Sequence, residues 1–316
     1  MNFSTFTLKY KNMKKAYVLI LLIATLFSCK DEPKKDDKLN IVTTTTMITD
    51  LVKNIGGDKV NVQGLMGSGV DPHLYKASEG DVSKLVNADI IFYNGLHLEG
   101  KLVEVFEKME KQNKTQVALA EAINKRGLIS SEYFSSNYDP HVWFNIEYFK
   151  IFAEKVAETL AEKDPKNAQF YLDNEQKYQM DLDKLLSDVE DVVSALPVDE
   201  RILITAHDAF NYFGKTFNFN VIGLQGLSTA TEAGVQDVQK LSAFIIENKV
   251  KAIFIESSVP KRTIEALQEA VKSKGHEVKI GGTLYSDALG DAGTREGTYL
   301  GMYRYNIKTI VNSLLQ

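Results

Sequence analysis

The sequence predicts an α/β fold in two lobes, each a mainly parallel sheet flanked by helices, joined by one long rigid linker helix. With 316 residues the chain is about twice the length of a typical domain. Strand signals alternate with helix signals in both halves, the arrangement that yields parallel sheets. Between the halves, no Pro or Gly interrupts residues 166–196, so one helix can run through them.

In the N-terminal half, residues 40–46 (NIVTTTT) are rich in β-branched side chains and read as a strand, with an apolar-periodic helix at 47–55. A second strand is expected at 60–66. Ser78 and Asp81 have capping-box spacing and open a helix that ends near Asn87. Residues 89–93 (DIIFY) form a short continuous apolar run, as in a strand buried on both faces. A helix at 102–109 and a short strand at 116–119 complete this half. Asp164-Pro165 reads as a helix start, with Asp as N-cap and Pro in the first turn. Tyr178, Leu182, Leu185, Val189, Val192 and Leu196 then step by three and four, one stripe along a helix of about 45 Å. The C-terminal half is expected to hold strands at 201–206, 220–224, 252–256 and 277–283, with helices at 209–215, 235–248, 261–273 and 303–315.

A composition of 44% hydrophobic and 25% charged residues is that of a folded globular chain and excludes global disorder. Lys+Arg number 37 against 42 Asp+Glu, a net charge of −5 with no dominant basic block, which excludes nucleic acid as a first-choice partner. The single cysteine, Cys29, allows neither an intrachain disulfide nor a Cys-rich zinc site. It follows Lys14, Lys15 and the apolar run 16–27, a secretory signal pattern too short to span a bilayer. Leu26-Phe27-Ser28-Cys29 resembles a bacterial lipobox, which implies cleavage before Cys29 and lipid on its sulfur and new N-terminus. Met13, followed by two lysines, is an alternative start. Losing 1–28 removes four lysines and no acid, so the mature chain is more acidic still. Residues 30–38 (KDEPKKDDK) read as a solvated tether. The expected organisation is therefore a signal peptide (1–28), a tether (29–38), an N-terminal lobe (39–164), a linker helix (165–196) and a C-terminal lobe (197–316).

The chain has five histidines. His73 and His141 each end an Asp-Pro-His tripeptide, His207 follows the strand 201–206, and Asp287 lies just past the strand ending at 283. Ligands of open α/β sheets bind beyond the carboxyl ends of strands, so an interlobe cleft can gather these four, two from each lobe. Three imidazoles and one carboxylate suit Zn²⁺, Mn²⁺ or Fe²⁺ and disfavour Ca²⁺ and Mg²⁺, which take all-oxygen shells. Four protein ligands also close a tetrahedral shell, whereas a hydrolytic zinc site keeps a position for water; binding is favoured and no catalytic residue is expected. His97 is expected to begin a helix beside the site, and His276 to complement a helix dipole.

These residues carry a family resemblance. The lipobox at Cys29, IVTTTTMITDLVKNIGGDKV, GVDPHLY around His73, DPHVWFN around His141, TAHDAFNYF around His207, YSDALG around Asp287 and GTYLGMYRYN at 297–306 occur in order. Across residues 38–316 the chain resembles the solute-binding lipoproteins of zinc- and manganese-importing ABC transporters, the cluster A metal-binding proteins. The resemblance implies two α/β lobes on a rigid long helix, one transported metal held by His73, His141, His207 and Asp287, and delivery to a membrane permease. It also implies a protein that is exported and lipid-anchored in the bacterial cell envelope, facing the periplasm or the exterior, and a monomer is expected. His at position 207 is similar to the zinc or mixed zinc/manganese branch, and Glu there to the manganese branch. Many zinc-dedicated members carry a His-rich loop between the first two ligands; here 74–140 contain only His97, which leaves zinc, manganese and iron open. Zn²⁺ should bind most tightly in vitro, and more weakly as pH falls through about 6.5. A rigid linker implies metal entry by loop movement around His207 and Asp287. The competing readings are a lipid-anchored metallohydrolase using a base such as Glu256, and a metal-binding surface adhesin.

Overall fold

The structure is a computed structural model that describes residues 38–132 and 134–316. The expected signal peptide, Cys29 and the tether up to residue 37 lie outside the described residues. Among the described residues, no helix is long and apolar enough to cross a membrane.

The N-terminal half is built from β1 (Leu39–Thr43), α1 (Thr46–Gly56), β2 (Val60–Gly64), α2 (Glu79–Asn87), β3 (Ile90–Tyr93), α3 (Val103–Lys111) and β4 (Thr115–Ala118). Its four strands are parallel, in the order β2-β1-β3-β4. Two helices follow, α4 (Ile146–Lys163) and α5 (Ala168–Ser194). The C-terminal half comprises β5 (Ile202–His207), α6 (Asn211–Phe217), β6 (Asn220–Gln225), α7 (Val235–Glu247), β7 (Ala252–Glu256), α8 (Arg262–Lys272), β8 (Lys279–Leu284) and α9 (Tyr299–Leu315). Here the ladder divides into two parallel pairs, β5-β6 and β7-β8, with β5 beside β7. A side chain spans that division: Glu256 Oε1, at the end of β7, accepts the backbone N–H of His207 at 2.7 Å. The order β6-β5-β7-β8 repeats that of the first sheet.

Helix α5 extends 27 residues, about 40 Å, without a break. It buries Tyr171, Tyr178, Leu182, Leu185, Val189 and Val193; Val193 takes the core position expected for Val192, which is half-buried. These side chains enter a core that continues through α1 and α4 of the first half and α6 and α9 of the second. The helix is thus packed against both halves along its length, which limits bending more than helicity alone would. Smaller clusters sit under α2 and α3 in the first half and between β5–β8, α7 and α8 in the second.

Two differences from the sequence expectation concern this region. Asp164 does not cap α5: Pro165–Asn167 form a 3₁₀ turn, and the helix starts at Ala168. The Asp164 carboxylate instead accepts from Tyr171 Oη at 2.7 Å and Asn167 Nδ2 at 2.6 Å. Helix α4 has no counterpart in the sequence expectation. Its N-cap, Asn145, accepts from the Tyr148 N–H at 3.1 Å, and Phe149, Phe152, Ala153, Val156 and Leu160 are buried.

The capping box at α2 forms as expected, with the Asp81 carboxylate accepting from Ser78 N–H, Ser78 Oγ, Tyr75 Oη and Lys84 Nζ. Burial tends to raise this carboxyl, but those donors outweigh it and hold it well below the usual carboxylate range. A depressed folded-state pKa stabilises the fold above the unfolded value of about 3.9, and that contribution is lost as pH falls further. Asp81→Ala should therefore cost about 1–2 kcal/mol at pH 7, and the difference from wild type should shrink by pH 3. Denaturant titrations at the two pH values check this; an equal penalty at both would contradict it.

Candidate metal centre

Both Asp-Pro-His tripeptides use the same local device. Asp71 Oδ1 accepts the backbone N–H of His73 at 2.8 Å, and Asp139 Oδ1 that of His141 at 2.9 Å. This Asp-turn chemistry, stiffened by the intervening proline, sets where each histidine leaves the chain. His73 lies in the loop between β2 and α2. His141 follows no strand: only an isolated bridge, Ser130 with Tyr138, precedes it. Its loop is held by Tyr212 Oη on Asp139 O at 3.0 Å and by Asn94 Nδ2 on Pro140 O at 3.0 Å. His207 is the last residue of β5. Asp287 follows β8, next to Ser286, whose carbonyl accepts from Trp143 Nε1 at 3.0 Å. Trp143 also stands edge-on to the His141 ring.

The four side chains predicted from sequence converge. One donor atom from each of His73, His141, His207 and Asp287 can be chosen so that all lie within 4.8 Å of one another. His73 Nε2 and His141 Nε2 are 3.2 Å apart, His207 Nε2 and Asp287 Oδ2 3.2 Å, and His141 Nε2 and Asp287 Oδ1 3.6 Å. Zinc–ligand bonds of 2.0–2.1 Å in a tetrahedron give ligand–ligand edges of about 3.3–3.4 Å, so these separations suit one central cation. His73 is 5% exposed, Asp287 1%, and His141 and His207 0%. His207 Nε2 and Asp287 Oδ1 are buried without a hydrogen-bond partner, an arrangement a cation between them would satisfy.

Carboxylates orient two of the rings. His141 Nδ1 lies 2.8 Å from Asp139 Oδ1, so with the proton on Nδ1 donated to Asp139 the Nε2 lone pair is left for a metal. Asn211 Nδ2 in turn donates to Asp139 Oδ2 at 3.1 Å. His207 Nδ1 is 2.6 Å from Glu256 Oε2, close but without good hydrogen-bond geometry, so the pairing is chiefly electrostatic. Glu256 is therefore a support for His207, the same partner its other oxygen holds through the backbone N–H. Asp139 was visible in the repeated tripeptide as a turn residue but not as a ring-orienting one. The pairing of Glu256 with His207 required the adjacency of β5 and β7.

The environment divides the histidines. Burial pushes His73 down to about 3, against the opposing pull of Asp287, so its ring is neutral at any physiological pH. Burial also acts to lower His207, but Asp287 and Glu256 outweigh it and hold the imidazolium well above the usual range. Asp287 is raised by burial, yet His207, His141 and His73 together hold it below the usual range. The remaining histidines are not in the cluster. His97 is exposed, in a turn at φ +64° rather than opening a helix, and Phe134 stands between it and His73, its ring edge-on to both. His276 lies in the irregular segment between α8 and β8.

Residues 41–313 match the family described as zinc-uptake complex component A, periplasmic. The chain belongs to this family. Its likeness to other metal-binding components extends over nearly the whole chain. It is 49% identical to the zinc-binding protein TroA of Treponema pallidum, over 91% of this chain and 92% of TroA. It is 44% identical to the manganese-binding lipoprotein MntA of Bacillus subtilis, over 96% of this chain and all of MntA. The solved structure of periplasmic zinc-binding TroA from T. pallidum superposes with a TM-score of 0.85 at 50% identity, covering 88% of this chain and 99% of that one. The chain has the two-lobed α/β architecture with a long helix that the sequence predicted.

Proposed function

We propose that this protein is an exported, lipid-anchored solute-binding component of an ABC importer, that a divalent transition metal is its cargo, and that His73, His141, His207 and Asp287 hold it. The observation that carries the reading is the convergence of three imidazoles and one carboxylate at metal-ligand spacing, two of their buried atoms lacking any other partner. Membership of the zinc-uptake family supports delivery to a membrane permease, and the lipobox supports anchoring through Cys29. Residues 39–164 and 197–316 would be the lobes, with 165–196 as the linker. A binding role rather than an enzymatic one is supported by the fate of Glu256: the candidate base of a hydrolase lies against His207 instead of a water position. The donor set accepts zinc, manganese or iron, and Zn²⁺ should win in vitro.

Asp287 and Glu256 hold the His207 imidazolium well above its usual range, so proton competition with the metal should extend above pH 6.5 and affinity should go on rising from pH 6 to 8. A bare imidazole would instead give a plateau above about 6.5. Competitive chelator titrations of the metal-free protein with Zn²⁺ at pH 6, 7 and 8 test both readings: no tight equivalent would overturn the site, and a flat profile above pH 6.5 would overturn the role of the His207 proton.

A further inference from the structure

The four site residues are not equally enclosed. His73 is the most exposed of them, and its loop, residues 65–78, contains no strand or helix between β2 and α2. Two residues before His73, the Asp71 carboxylate binds in two directions. Oδ1 accepts the His73 N–H, while Oδ2 accepts from Thr229 Oγ1 at 2.5 Å. Thr229 is 9% exposed and belongs to the loop between β6 and α7, in the other half of the chain. Among the described residues, this is the one side-chain hydrogen bond that ties the His73 loop to the C-terminal half. The second tripeptide is different: Asp139 Oδ2 is taken by Asn211, and its Oδ1 also meets the His141 ring. Both copies of the Asp therefore reach the C-terminal half, but only Asp139 also supports the ring of its own histidine, so Asp71 acts on His73 through the backbone alone. Elsewhere the His73 loop is bounded by packing, with Phe134 edge-on to the His73 ring and Gly69, at φ +70°, close over the Ser257 carbonyl.

We propose that the Asp71–Thr229 hydrogen bond is a latch that slows metal release by restraining the loop carrying His73. His207 ends β5 and is held by Glu256, the His141 ring is held by Asp139, and Trp143 binds the carbonyl next to Asp287, which leaves the His73 loop as the part of the site whose displacement opens it. The carboxylate that meets Thr229 also holds the His73 backbone, which couples the tie directly to the ligand position. A hydroxyl donating to a carboxylate is a charge-assisted bond, and its loss from a closed state should speed opening by about tenfold. The latch rests on the reading of the four residues as a metal site.

The test is the rate at which zinc-loaded protein gives up Zn²⁺ to excess chelator in stopped flow. Thr229→Val, which keeps the shape and removes the hydroxyl, should release zinc about tenfold faster, and Thr229→Ser should stay within about twofold of wild type because it restores the donor. Asp71→Asn, which keeps an oxygen for the His73 N–H and loses the charge, should also release faster and serves if Thr229→Val does not fold. Release from folded Thr229→Val or Asp71→Asn at the wild-type rate would overturn the latch while leaving the metal site standing. Wild-type protein that retains no zinc would overturn the metal site, and the latch with it.

Discussion

His207→Ala should lower Zn²⁺ affinity by more than a hundredfold while leaving the fold recognisable. Loss of a group that merely orients a metal ligand costs about 10–100-fold, and His207 is proposed as a ligand itself. Its Nε2 is buried, lacks a hydrogen-bond partner and lies 3.2 Å from Asp287 Oδ2. The truncation removes this donor and also leaves Glu256 and Asp287 buried without the cation they share, a costly arrangement for carboxylates. A competitive titration of wild type and variant, Zn²⁺ against Mn²⁺ with circular dichroism as the control for folding, reads the effect. One equivalent bound by wild type with Zn²⁺ preferred, and lost in the variant, is the expected result. Equal affinity in a folded variant would remove His207 from the ligand set.

The second large effect concerns the packing that joins the halves. Tyr299, at the start of α9, is 0% exposed and stacks on Phe149 of α4 with ring centroids 3.7 Å apart and planes at 11°. Its hydroxyl donates to the Trp143 carbonyl at 2.7 Å, beside the His141 ring. Tyr299→Ala should cost about 3–5 kcal/mol, because it removes a large buried ring and leaves a cavity between helices of opposite halves. Tyr299→Phe keeps the stack and leaves one carbonyl without its donor, at about 1–2 kcal/mol. Denaturant unfolding of the metal-free proteins separates the two, and a Tyr299→Ala penalty no larger than that of Tyr299→Phe would show that the stack contributes little.

Much of the fold was legible because its signals are local. The alternation of strand and helix patterns, the Ser78–Asp81 capping box and the breaker-free run of α5 each depend on residues close in sequence. Helix α4 was missed although its signal is local: Asn145 as a cap, followed by Phe149, Phe152, Ala153, Val156 and Leu160 at helical spacing, is an amphipathic signature. Asp164 was misleading for a physical reason. Asp-Pro favours a turn, but whether the carboxylate caps the next helix depends on competing donors, and the Tyr171 hydroxyl and Asn167 amide take it.

By itself, the sequence determined the α/β class, the duplicated Asp-Pro-His tripeptides and the four residues able to offer metal-ligating atoms. These follow from residue type and short spacing, through backbone preference and ligand chemistry. The tertiary structure decided how those residues are supported. Glu256 meets His207 across 49 positions, and Thr229 meets Asp71 across 158. Such pairings depend on which strands and loops become neighbours, and on how burial and nearby charge then separate the protonation of His73 from that of His207. No local pattern encodes them, because the free energies involved arise only once both partners have been withdrawn from water into one shared site.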